Sequence, residues 1–239
     1  MARGGHEAPP RELNMLGILE RILESKRNEL THMRGVALPA APPARPVDLR
    51  RPAGAPLRVI TEIKRRSPSA GALSTALSVA ERAAAYARGG ADMLSVLCDR
   101  SYFEGSFEHL REAREACALP ILCKEFVIDE CQLDWARAFG ADAVLLIVRC
   151  LSEERLAVLV AAARERGLMP FVEVTNEAES AQALAAGGTL IGVNARDLDS
   201  LQMNPGRAKE VLAKLPASVT RVHLSGIATP EAVGEVAGG

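Results

Sequence analysis

Four short apolar runs of this chain end in groups able to move protons or hold charge. VITEIK carries Glu62 and Lys64 two residues apart, CKEF carries Lys124, FVEV carries Glu173 and IGVN carries Asn194. Residues two apart on a strand share one face, so Glu62 and Lys64 are expected beside each other with Ile60, while Val59 and Ile63 turn towards the helices. The same alternation groups Leu122 with Lys124 and Phe126, Phe171 with Glu173, and Gly192 with Asn194. Two ammoniums, two carboxylates and an amide can polarise a carbonyl, transfer protons and stabilise a developing charge. A single inward charge is the mark of a rim salt bridge. Four strand ends carrying such groups in turn point to a pocket, because buried charges are costly unless they pair or serve a ligand.

The elements that must position these groups recur along the chain. Strand-like runs fall at LRVITEIK (57–64), DMLSVL (92–97), PILCKEF (120–126), DAVLLIV (142–148), MPFVEV (169–174), TLIGVN (189–194) and VTRVHL (219–224). Between them lie stretches of helical periodicity, such as 151–167 and 176–188, and several helix-to-strand joints carry glycine as a C-cap. Strand and helix alternating in this way imply parallel strands with right-handed crossovers. The fold class is α/β, a (β/α)8-type TIM barrel with an N-terminal helical extension. Seven strands are countable where the closed barrel has eight, so the chain reads as truncated before the eighth. In such barrels the active site forms at the C-terminal ends of the strands, where these polar groups lie.

Ahead of the repeat, residues 1–12 are polar and read as a disordered tail. From Leu13 to about Arg34, Leu16, Leu19, Leu23 and Leu30 recur at near-helical spacing, and a Pro/Ala-rich stretch then demands an extended linker. The expected division is a tail (1–12), a helix and linker packed on the barrel (13–56), and the barrel itself (57–239).

Composition narrows the function. A formal charge of −1 supplies no global field for nucleic acid or an anionic membrane, so an anionic ligand must be held by local charges. That favours a small molecule. The chain has no apolar leader and no run long enough to span a bilayer, and it is expected in the cytoplasm as a monomer or weak homodimer. Five cysteines, odd in number and without C-x-x-C spacing, read as buried reduced thiols rather than a metal site or disulfide framework. His223 alternates with Leu224 and so points to a helix, not into the pocket. The arginines of KRRS read as a solvated charge run.

The motifs resemble those of the indole-3-glycerol-phosphate synthase family of tryptophan biosynthesis. EIKRRSPSAG (62–71) is similar to the family signature E-x-K-x-x-S-P-S-x-G. SVLCDRSYFEGSFEHL (95–110), CKEFVIDECQL (123–133), FVEVTNEAESAQAL (171–184), IGVNARDL (191–198) and LSGIATPEAV (224–233) follow in the family's order. The resemblance implies ring closure of 1-(2-carboxyphenylamino)-1-deoxyribulose 5-phosphate to indole-3-glycerol phosphate, with loss of CO2 and water and no metal or cofactor. It gives Lys124 the general acid's place, Lys64 that of the second lysine, and Glu173 that of the base or charge stabiliser. Glu62 would orient the lysines, and Asn194 would bind a substrate hydroxyl. Ser67, Ser225 and Gly226 match phosphate contacts, and Phe103, Phe126 and Leu145 match apolar positions that would sandwich the aromatic ring.

Three positions depart from the family pattern. Glu125 stands for the usual Asp of K-D-F, Ala195 for the second Asn of V-N-N-R, and Leu224 for an inward Glu. The first two are mild; a leucine at 224 can neither take a proton nor pair with a lysine. Two readings follow: a synthase of reduced turnover, or a non-catalytic barrel fragment that pairs its open edge with another chain. Retention of Glu62, Lys64, Lys124, Glu173 and Asn194 favours the first.

Overall fold

The computed structural model describes residues 17–52, 54–67, 71–73, 76–197, 202–227, 229 and 232–234, of which Ser67 and Ala72 are described by backbone alone. The predicted tail at 1–12 and most of the stretch after Ile227 lie outside the described residues.

Seven parallel strands follow one another in a single sheet: β1 (Ile60–Ile63), β2 (Met93–Leu97), β3 (Ile121–Lys124), β4 (Ala143–Ile147), β5 (Met169–Val174), β6 (Leu190–Asn194) and β7 (Thr220–Leu224). Each pairs with the next in chain order, and the sheet curls into an incomplete barrel. Every strand lies within its predicted run. Among the described residues, β1 and β7 are each paired on one side only. The helices are α1 (Ile18–Met33), α2 (Val79–Arg88), α3 (Arg100–Phe103), α4 (Glu108–Ala116), α5 (Glu130–Ala138), α6 (Glu153–Glu165), α7 (Glu177–Ala185) and α8 (Pro205–Lys214). Among the described residues no helix is long and apolar enough to cross a membrane.

The local signals explain these boundaries. Gly140 ends the turn after α5 at φ 96°, a left-handed conformation that an L side chain enters at a cost. Ser152 starts α6 by accepting the Arg155 N–H at 3.2 Å. Replacing Ser152 by alanine is expected to lower unfolding stability by about 1 kcal/mol, measured by urea denaturation, because one helix N–H loses its partner. The short α3 is an element that sequence periodicity did not announce. Asp99 creates it by accepting the N–H groups of Tyr102 at 2.7 Å and Phe103 at 3.2 Å.

Strand alternation divides the apolar residues into two cores. Ile63, Val96, Cys123, Leu146, Val172 and Ile191 face the helices, whereas Met93, Leu122, Leu145, Phe171 and Leu190 fill the barrel. Val59 departs from expectation: it precedes β1 and is 44% exposed rather than packed on a helix. Gly192 is required by close approach, since a Cβ there would meet Leu224 Cδ1 at 2.6 Å and Phe171 Cε1 at 2.8 Å.

Residues 36–52 of the Pro-rich linker form neither helix nor strand. Its Leu49 is buried in the interior core. Asp142, buried just before β4, accepts the N–H of Arg45 at 2.7 Å and of Ile121 at 3.0 Å, and pairs with Arg114 at 3.0 Å. One carboxylate thereby ties linker, helix and sheet together. All five cysteines are free thiols, but only Cys98 and Cys123 are buried; the other three are half-buried, so the expected burial holds for two.

Candidate active site

The C-terminal strand ends bring the predicted polar groups to one mouth. Glu173, at the end of β5 and only 2% exposed, is the centre. Its Oε2 lies 3.3 Å from Lys124 Nζ on β3, and its Oε1 accepts the Asn194 amide of β6 at 2.9 Å. Asn194 in turn uses its Oδ1 to accept the Arg196 N–H at 2.9 Å, which fixes the amide's orientation. Across the barrel, the Lys64 ammonium pairs with Glu62 at 2.6 Å.

The two pairs are coupled electrostatically. Burial alone would raise the Glu62 carboxyl, but Lys124 and Lys64 outweigh it and hold Glu62 below the usual carboxylate range. Burial would likewise pull the Lys124 ammonium down, but Glu173 and then Glu62 reverse this and raise it. Lys124 is therefore a cation at neutral pH, partly exposed and facing the space a ligand would enter. Strand register adds a group that alternation alone did not single out. Ser95 on β2 stands directly between Glu62 and Leu122, and its buried hydroxyl has no hydrogen-bond partner among the described residues.

The apolar candidates are placed differently from one another. The rings of Phe103 and Phe126 lie 6.1 Å apart at 37° and are half-buried. A third ring between them would need roughly 7 Å, two carbon contacts, so they form one wall rather than the expected sandwich. Leu145 is 1% exposed, beside Phe171 in register and below the Ile147–Glu173 level; it belongs to the packed floor. Ser225 and Gly226 follow β7 in an exposed turn with φ of 68° and 78°. Ser67 lies in a two-residue ribbon after β1, and its side chain is outside the described residues. His223 sits beside Val193, on the helix face, as alternation requires.

The family profile described as indole-3-glycerol phosphate synthase matches residues 19–238. The chain belongs to the indole-3-glycerol phosphate synthase family. A relative of that name from Exiguobacterium sp. is 40% identical over 217 residues, covering 91% of this chain and 84% of its own. Another, from Rhodococcus jostii, is 39% identical over 219 residues, covering 88% and 81%. Among solved structures, the N-acetylmannosamine-6-phosphate 2-epimerase from Clostridium perfringens superposes with a TM-score of 0.59 at 14% identity, covering 76% of this chain and 82% of its own. Thiamine phosphate pyrophosphorylase from Pyrococcus furiosus gives 0.52 at 16%, covering 71% and 75%. These two likenesses concern the fold alone.

For a synthase-family barrel, Leu224 is the departure with a visible consequence. It pairs in register with Asn194, and its side chain fills the space over Gly192 inside the barrel. The mouth therefore has an apolar patch beside Asn194. A second group that sequence reading missed is Lys26 of α1, 1% exposed and surrounded by carboxylates. Its signal was present: Leu19, Ile22, Lys26 and Leu30 are the buried stripe of α1, and a lysine on an apolar stripe needs a partner.

The loops behind the mouth are tied by Arg149, which follows β4. It reaches Glu179 and Thr175 at 3.3 Å each and Asp197 at 3.4 Å, linking the turns after β5 and β6. This network ties the segments that follow β4, β5 and β6, behind Glu173 and Asn194.

Proposed function

We propose that this chain closes the indole ring, converting 1-(2-carboxyphenylamino)-1-deoxyribulose 5-phosphate to indole-3-glycerol phosphate, with turnover limited by Leu224. The observation that carries this reading is the convergence of Lys124, Glu173 and Asn194 with the Glu62–Lys64 pair at one mouth of the barrel. The reaction joins the ring carbon bearing the carboxylate to the ketone carbon, and Lys124 delivers a proton to the ketone oxygen. Departure of CO2 returns its bonding electrons to the ring. The new hydroxyl then takes a proton from the Lys64 ammonium and leaves as water, pushed by the anilino nitrogen, and a proton is lost from the neighbouring methylene. Glu173 is the carboxylate that faces the resulting cation and accepts that proton.

Lys64 holds the substrate carboxylate until it leaves and assists proton transfer, while Glu62 orients Lys64 and helps to keep Lys124 charged. The second amide hydrogen of Asn194 serves a substrate hydroxyl. Phe103 and Phe126 offer one face to the aromatic ring, with Leu145 in the floor beneath, and Ser67, Ser225 and Gly226 bind the phosphate through the loops after β1 and β7. These groups account for every proton transfer, so the reading invokes no cofactor.

The test is direct. The purified chain mixed with the substrate is expected to develop indole fluorescence slowly; none at substrate saturation would sink the reading. Leu224→Glu is expected to raise kcat by about tenfold or more, the lower range for a positioned acid–base group being ~100-fold. An unchanged rate in that variant would mean that Glu173 and Glu62 already supply the acidic function.

A further inference from the structure

The Lys26 ammonium lies 2.8 Å from Glu29, 2.7 Å from Asp99 and 3.0 Å from Glu125, three carboxylates within ion-pair distance. Burial would favour the neutral amine, but Glu125 and Asp99 outweigh it and keep Lys26 protonated. The two deeply buried partners have a property in common. Asp99 accepts the backbone N–H of Phe103 at 3.2 Å, and Glu125 accepts that of Phe126 at 2.7 Å. Those are the two residues whose rings meet to form the aromatic wall of the mouth. Asp99 follows β2 and Glu125 follows β3, so Lys26 is the cation that joins the two loops; burial already raises the Glu125 carboxyl to about 7, and without Lys26 it would take up a proton. The loops that carry the rings would then lose the ion pairs that hold them together.

We propose that Lys26 is a positioning residue for the aromatic part of the substrate: by joining Asp99 to Glu125 it fixes the backbones of Phe103 and Phe126 and so the relative placement of the two rings against which the substrate ring packs. The inference rests on the ring-closure reading above, because it needs an aryl-bearing ligand. Helix α1 thereby shapes the mouth from outside the barrel, without touching the ligand.

The experiment compares two non-reactive ligands on the full chain by calorimetry. One is the substrate with its ketone reduced to an alcohol, which keeps the carboxyphenylamino ring; the other is ribitol 5-phosphate, which lacks it. Lys26→Met is expected to weaken the ring-bearing ligand at least tenfold and the ringless one less than twofold. Equal losses for both, or no loss for either, would overturn the proposal. If Lys26→Met does not fold, Lys26→Met/Glu125→Gln removes one of the two buried carboxylates left without a cation, and the same selective loss is expected of it. Failure of the unaltered chain to bind the ring-bearing ligand would instead refute the ring-closure reading, and that is visible before any variant is made.

Discussion

Replacing Lys124 by alanine is expected to lower kcat for indole formation by about 1000-fold, within the span found for removing a positioned acid. Lys124 is the cation of the site bonded to Glu173, and Glu173 together with Glu62 raises its proton affinity. An alanine leaves the ketone oxygen without a charged donor in a site partly shielded from water, where electrostatic stabilisation is strongest. The Lys64 ammonium, 2.6 Å from Glu62 on β1's side of the mouth, is assigned to the substrate carboxylate, so it does not replace the lost group. Circular dichroism should be unchanged, since the partly exposed Lys124 side chain does not belong to either apolar core. A loss of less than tenfold, read from the fluorescence assay with folded protein, would remove Lys124 from the role of acid.

Glu173→Gln is expected to reduce kcat by about 100-fold to 1000-fold while KM moves less than threefold. The amide keeps the shape and can still accept from Asn194 through its oxygen. It then presents an NH2 to Lys124, a donor facing a donor. The base is lost, and so is the main charge that keeps the Lys124 ammonium protonated against burial. Because both changes act on one unit, the Lys124→Ala/Glu173→Gln double variant should lose much less than the product of the single losses. Strict multiplicativity would mean that the 3.3 Å contact has no part in the reaction.

Much of this site was legible because strand periodicity is short and local. Once β1, β3, β5 and β6 were recognised, alternation alone put Glu62, Lys124, Glu173 and Asn194 on the interior face. The placement of the cores on either side of the sheet follows the same rule. Motif order then assigned the family, and the profile match over 19–238 agrees with it. What alternation cannot specify is distance across the barrel. That Asn194 bonds to Glu173, while Lys64 bonds to Glu62 rather than to Glu173, is decided by strand register and by the curl of the sheet. Phe103 and Phe126 were named from the sequence, but that their rings meet side by side as one wall was not legible, for another reason. It depends on Asp99 capping a four-residue helix that has too few residues to show a period.

Sequence by itself determined the strand–helix alternation, the inward face of each strand and the residue types at each strand end, because these depend on neighbours two to four positions away. Tertiary structure alone decided that Lys26, from a helix outside the barrel, would find Asp99 and Glu125 across more than seventy residues of chain. Such a contact is selected by where a buried ammonium can recover the energy of its lost hydration, and that place exists only after the strands have assembled.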